Sequence, residues 1–410
     1  MSVTAHAKGT RLPQGVFLGI AVVVALLLAW RVVVSGTAAI RDRGGPVDPT
    51  VDLAAPDTGA ADSAWRARIA SNPADYVALV VLALQLERQG RAADAREAMR
   101  DALRLAPGDR QTLLEAAAFH LRAGEEPQAL AILRRALDLY PGVGEKVFPV
   151  FVAALSGGRH DDFFVGIARD NPAWWPGFFG YACQSAAAVD AVQRVLAVRV
   201  AAGTATVDER RCVIGRLLRE KRWVHAYQVW LNGLPLDARQ RVGYVFNGGF
   251  EAPISNLGFD WTTPDQDAIS VDAQPIDGAT GRRALRIEFF SKRWSGIPVQ
   301  QLLMLFPGKY RFEGRGRADG LDTWLGVQWG LYCPPDGGAG ERQLARSDRY
   351  LGSTGWEGFA HDFVVPKDCP VQLLRLELAN PRRDATSPGN VAARLRGTVW
   401  FDDFRVRSLD

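Results

Sequence analysis

Histidine, methionine, lysine and cysteine are all scarce in this chain of 410 residues, which has 5 His, 3 Met and 4 Cys. No two histidines stand at metal-ligand spacing. The chain has no HExxH, no GxSxG, no GxxxxGK[ST] and no strand-anchored GxGxxG, so the commonest signatures of metalloprotease, serine hydrolase and nucleotide-phosphate chemistry are missing. Gly314-Arg-Gly316 is a lone GxG and reads as the end of a strand. None of Cys183, Cys212, Cys333 and Cys369 forms a CxxC, which argues against zinc ribbons and thioredoxin-type redox sites. Net charge is only +4, and no Lys/Arg block alternates with aromatics on a helix, so a nucleic-acid partner is not expected. Long apolar runs are also missing, with one exception.

The exception is Val16–Val34 (VFLGIAVVVALLLAWRVVV). As a helix it would span about 28 Å, close to the hydrocarbon thickness of a bilayer. Its single charge, Arg31, suits snorkelling towards headgroups, and Trp30 suits the interface. We expect an uncleaved single transmembrane helix at 16–34 behind a short tail, 1–15. A cleaved signal peptide, with small Thr37 and Ala39 near the cut, is the alternative, but the run is longer than a signal's 7–15-residue apolar core. Lys8 and Arg11 before the run are balanced by Arg31, Arg41 and Arg43 at or beyond its end, so charge does not decide the orientation. Residues 35–62 are rich in Gly, Ala, Pro and Asp and read as a linker, with a reach of about 30 Å if flexible.

Residues 63–142 contain a repeat of period 34. Pro73, Pro107 and Pro141 share one register, as do Asp75 and Asp109, Gly90 and Gly124, Ala95 and Ala129, and Leu103 and Leu137. Leu79, Leu82 and Leu86 mark a helical face. Glycine suits a left-handed helix end, and alanine a close helix crossing. This pattern resembles the tetratricopeptide repeat. The register weakens after Pro141, and the group Trp174, Trp175, Phe178, Phe179 and Tyr181 is either an aromatic platform or the packed core of a degenerate repeat, the latter being expected. Thr206 and Glu209 form a capping-box pattern. Helical pairs are expected to fill 63–240.

From Val245 the period becomes 2. Strands are expected near Ala284–Phe290, Gln300–Phe306, Lys309–Gly314, Leu325–Tyr332, Gly358–Val365, Gln372–Leu378 and Thr398–Val406, which points to an antiparallel sandwich over 245–410. Leu285, Ile287 and Phe289 alternate with Arg286 and Glu288. Val327, Trp329 and Leu331 alternate with Gln328 and Tyr332, and Leu374, Leu376 and Leu378 with Arg375 and Glu377. One side of each strand is core and the other polar. The fold class is therefore multidomain: a membrane helix, an all-α repeat domain and an all-β jelly-roll sandwich.

The sandwich opens on Asn247-Gly-Gly-Phe-Glu251 and Gly258-Phe-Asp-Trp261 and closes on Trp400-Phe-Asp-Asp-Phe404. These elements resemble the galactose-binding-like jelly roll of many carbohydrate-binding modules. The resemblance implies a polysaccharide or oligosaccharide ligand and a structural calcium ion, held by Glu251 with Asp402 or Asp403 and backbone carbonyls. The polar-face groups Arg286, Glu288, Gln328, Tyr332, Arg375 and Glu377 have suitable chemistry for sugar hydroxyls, and Trp294 is a candidate platform, with Trp324 and Trp356 as further loop aromatics. A Cys333–Cys369 disulfide suits an oxidising periplasm. Two buried thiols are the alternative, and a Cys183–Cys212 pair is a further option.

An enzyme is not expected. Glu288 and Glu377 are the pair a glycosidase would need across a cleft, but sequence does not bring them together. The expectation is a single-pass protein of the bacterial inner membrane with its body in the periplasm. It would bind glycan through the sandwich and a protein partner through the repeats, in assembly or export of a surface polysaccharide. The alternatives are a purely structural scaffold and, last, a hydrolase or lyase.

Overall fold

The computed structural model describes residues 59–185, 189–263, 267–294, 299–334, 341–379 and 393–409. The apolar run 16–34 and most of the expected linker lie outside the described residues. Among the described residues no helix is long and apolar enough to cross a membrane. The chain divides into two compact units between Ala205 and Thr206, ahead of the change of period at Val245.

The first unit is helical. Helix α1 (Gly59–Ser71) begins within the stretch expected to be linker. Pairs follow: α2–α3 (Tyr76–Arg88, Ala92–Leu105), α4–α5 (Arg110–Arg122, Glu126–Leu139), α6–α7 (Gly144–Gly157, Asp161–Asp170) and α8–α9 (Trp175–Gln184, Val189–Ala201). Asp75 and Asp109 accept the backbone N–H of Ala78 and Thr112, which satisfies an amide left open at each helix start. Gly90, Gly124 and Gly158 follow the first helix of successive pairs with φ of +76°, +74° and +66°, a region glycine enters without a Cβ penalty.

Ala95, Ala102, Ala129 and Ala136 are fully buried at the crossings. Successive pairs are also tied by polar bonds. Arg122 forks onto Glu87 at 2.9 and 2.7 Å, Arg159 and His160 hold Glu126 at 2.9 and 2.7 Å, and the Trp174 indole donates to Asp138 at 2.7 Å. Trp174, Trp175, Phe178 and Phe179 are buried: Trp174 and Phe178 pack on Phe151, Phe178 stacks on Phe164, and Trp175 packs on Phe178 and Phe179. Only Tyr181 of that aromatic group is exposed.

The second unit begins with α10–α11 (Val207–Arg219, Trp223–Asn232) and α12 (Leu236–Gln240). Thr206 and Glu209 close a capping box at its first turn. Trp230 of α11 packs on Phe246 and Phe259, in the segment leading to the sheets. The strands are β1 (Ile269–Pro275), β2 (Arg283–Trp294), β3 (Gln300–Leu303), β4 (Gly308–Asp322), β5 (Val327–Cys333), β6 (Arg342–Arg346), β7 (Glu357–Val365), β8 (Gln372–Leu378) and β9 (Ala393–Ser408). They form an antiparallel sandwich with a five-stranded sheet, β1-β2-β9-β4-β7, and a four-stranded sheet, β3-β8-β5-β6.

The sheets meet through aromatic rings: Trp329 of β5 lies 5.3 Å from Phe401 and 4.8 Å from Phe404 of β9, ring centre to ring centre. The opening and closing motifs both feed this core. Phe250 and Trp261 are fully buried beside Phe404, and the Trp261 indole donates to the Asn247 carbonyl. Gly314 and Gly316 are not a strand end. They lie in the middle of β4, where a Cβ would strike Phe404 and Phe359 at one position and Tyr350 and Phe401 at the other. Cys333 and Cys369 are joined by a disulfide, and no described cysteine is a free thiol.

Candidate functional site

The period-2 pattern decides what the outside of the four-stranded sheet carries. Trp329 and Leu331 of β5 and Leu374 and Leu376 of β8 enter the core, so Gln328, Gly330 and Tyr332 on one strand and Leu373, Arg375 and Glu377 on the other take the outer face. The register sets Gln328 opposite Glu377, Gly330 opposite Arg375 and Tyr332 opposite Leu373.

These neighbours form one network. The Tyr332 hydroxyl donates to Glu377 Oε1 at 2.5 Å, and Gln328 Nε2 donates to the same oxygen at 3.2 Å. Arg375 Nε and Nη2 reach Glu377 Oε2 at 3.3 Å. Its two terminal nitrogens fork onto Glu341 at 2.6 and 2.8 Å. Gly330 makes room for the tyrosine, because a Cβ there would collide with the Tyr332 ring and hydroxyl. The guanidinium of Arg375 stacks on that ring, 4.1 Å from its centre.

The cluster is shielded from water, although an outer sheet face is commonly wet. The Arg375 and Glu377 side chains are only 8% and 10% exposed, and Glu341 is 25% exposed. Burial pulls the Arg375 pKa down, while its bonds to Glu341 and the charges of Glu341 and Glu377 push it up, with a net rise that keeps the guanidinium charged. The arrangement presents a phenol, an amide, a guanidinium and carboxylates held from adjacent strands. Those are the groups that take up the donors and acceptors of a polyhydroxylated ligand. Trp324, 75% exposed, stands just ahead of β5.

The other sequence candidates lie elsewhere. Arg286 and Glu288 are on β2, on the outer face of the five-stranded sheet, where they pair at 2.5 Å and Arg286 lies 5.9 Å from the centre of the Trp400 ring opposite. They do not join the Glu377 cluster. Glu288 and Glu377 therefore sit on opposite outer faces, which removes them as a glycosidase pair. Trp294 ends β2, but its side chain lies outside the described residues. Trp356 is tied down, its indole donating to the Asp277 carbonyl. Glu341 was missed by sequence reasoning, since it precedes a short polar strand with no motif around it.

Glu251, Asp402 and Asp403 all bind one turn, residues 280–283, that leads into β2. Glu251 accepts the backbone N–H of Arg282 at 2.7 Å and of Arg283 at 3.0 Å. Asp402, 1% exposed, accepts the backbone N–H of Thr280 and of Asp403, both at 2.8 Å. Asp403, at φ +59°, accepts from the Thr280 hydroxyl and from Arg405. Burial raises the Asp402 carboxyl above its ordinary range against those N–H bonds. Calcium takes six to eight oxygen ligands. Here the carboxylates meet N–H donors and guanidinium groups, and among the described residues no three His, Cys, Asp or Glu side chains form a metal-holding group. The residues do not fit the ion.

No family model and no curated protein matches the chain. Solved structures similar to part of it include a module described as "CBM4 structure and function", 16% identical, with 40% of this chain and 99% of that one covered at a TM-score of 0.28. Another is a family 16 carbohydrate-binding module, 15% identical, with 40% and 100% covered at 0.29. A third is the CBM22-1 xylan-binding domain of Paenibacillus barcinonensis Xyn10C, 14% identical, with 40% and 92% covered at 0.27. At those scores the likeness carries no conclusion about function.

Proposed function

We propose that the β-sandwich is a non-catalytic glycan-binding module that takes a polysaccharide or oligosaccharide on the outer face of its four-stranded sheet. The observation that carries this reading is the convergence of Gln328, Tyr332, Arg375 and Glu377 into one network held by two adjacent strands. A rigid set of hydroxyl-matching groups loses little freedom on binding. Trp324 supplies an exposed ring at the end of the same strand. The rest of the chain is proposed to serve this module. Residues 16–34 anchor it in a bacterial inner membrane with its body in the periplasm. The helical pairs, in the manner of tetratricopeptide repeats, hold a protein partner in assembly or export of a surface polysaccharide. The 34-residue spacing and the glycine helix ends support that repeat reading.

Affinity electrophoresis of the intact chain against a panel of polysaccharides tests the proposal. Gln328→Ala, Tyr332→Phe and Glu341→Ala should each weaken retention about tenfold, the effect of losing one polar contact at a shielded site. Retention that survives all three substitutions sinks the sugar site. It would instead support a docking scaffold, the second reading, in which the same network serves only to stiffen the sheet.

A further inference from the structure

The corner where the start and end of the sandwich meet has a centre the motifs do not announce. Arg315 projects from β4 between the turn before β2 and the bulge of β9. Its Nη2 donates to the Gly278 carbonyl and lies 3.5 Å from Asp402 Oδ2, while its Nε lies 3.5 Å from Asp403 Oδ2. Its plane stacks on Trp356, 4.6 Å from the ring centre, and Trp356 bonds back to the Asp277 carbonyl at 3.3 Å. The turn is fitted to this arrangement, because Gly278 has φ +83° and a Cβ there would stand 2.9 Å from the Trp356 indole nitrogen.

We infer that Arg315 occupies the role a bound divalent cation would have at this corner, so that the sandwich closes without metal. The Gly278 carbonyl and the carboxylates of Asp402 and Asp403 are oxygen donors of the kind a hard cation takes. The guanidinium hydrogen-bonds the first two and stands in ion-pair range of the third. Its positive charge answers the two carboxylates together with Arg405, which reaches Asp403 at 3.3 Å. Glu251 is held by two main-chain N–H groups. Both hydrogens go to Glu251 Oε1, which takes up that oxygen's acceptor capacity, and a second positive centre beside Arg315 would be repelled. A planar fork with an aromatic face beneath it suits arginine and does not suit lysine.

The test uses the intact chain, stripped with chelator and then titrated with calcium, read by calorimetric titration and by thermal unfolding. The expected result is no binding heat and no change in the sandwich's Tm. Arg315→Met should lower that Tm by about 5 °C, the scale of one lost buried polar cluster in a domain this size, and Arg315→Lys should fall between the two because it keeps charge but not fork. Calcium that binds stoichiometrically, or that raises the Tm of the unaltered chain, overturns the inference. An unchanged Tm in Arg315→Met overturns it as well. If that variant does not fold, the calcium titration of the unaltered chain decides alone. Because the chelator-treated chain can also be run against glycans, loss of sugar binding and loss of the corner are read separately.

Discussion

The two units are held together in different ways. In the helical unit the bonds between pairs join residues about one repeat apart, such as Glu87 to Arg122 and Glu126 to His160. Each pair leans on the next, and stability accumulates along the series. In the sandwich the decisive contacts join distant residues: Phe250 meets Phe404, Thr280 meets Asp402, and Trp329 meets Phe401. Most of its buried apolar residues form one core cluster. Damage in the first unit should therefore stay local, whereas damage in the second should spread.

The largest test of that contrast is a pair of core truncations. Trp329→Ala should destabilise the sandwich by about 3–5 kcal/mol and expose amides on both sheets together in hydrogen exchange. Leu86→Ala, also at a buried site, should open α2 and α3 while α8 and α9 keep their protection. Uniform loss of protection across the helical unit would break the comparison.

A smaller effect is expected from the cross-link. Replacing both Cys333 and Cys369 with serine frees a loop spanning 36 residues and should lower sandwich stability by about 2–4 kcal/mol. The helical transition should stay where it is in the same calorimetric scan.

The smallest effect concerns charge. Glu125 is held below the usual carboxylate range, first by its bond to His120 and then by Arg96. Its depressed folded pKa stabilises the helical unit above the unfolded pKa, and that contribution is lost as pH falls through the folded value. Glu125→Gln should lower the helical Tm by about 1–2 °C at neutral pH, as befits a largely solvent-screened pair. The gap from the unaltered chain should vanish in acid. A gap that persists there means the carboxylate's charge is not what matters.

Much of the fold was legible because it rests on local rules. Thr206 and Glu209 cap a helix as their types require, and Gln372–Leu378 is the strand its alternation describes. What escaped follows a physical pattern. β1 and β6 are edge strands. They bury little, so Ile269–Pro275 and Arg342–Arg346 show weak apolar alternation. β4 was cut short at Gly314 because a residue without a side chain interrupts the pattern, although neighbouring rings fill that space. For the site, alternation revealed which residues face outward but not which strands are neighbours. Arg286 and Arg375 look alike in sequence, and only the strand order places them on different sheets. Arg315 and Glu341 act through partners far away in sequence, Asp402 and Asp403 on β9 and Arg375 on β8, which no local window contains.

The strand order has a consequence for how the protein is made. β9 lies between β2 and β4 in the five-stranded sheet, so a ribosome delivers the middle of that sheet after all its other strands. Until those residues emerge, β2 and β4 each wait with an unzipped flank, while the helical pairs upstream can already settle one after another. Stalled translation would therefore leave a finished helical stack carrying an open, sticky half-sheet, a natural target for chaperones.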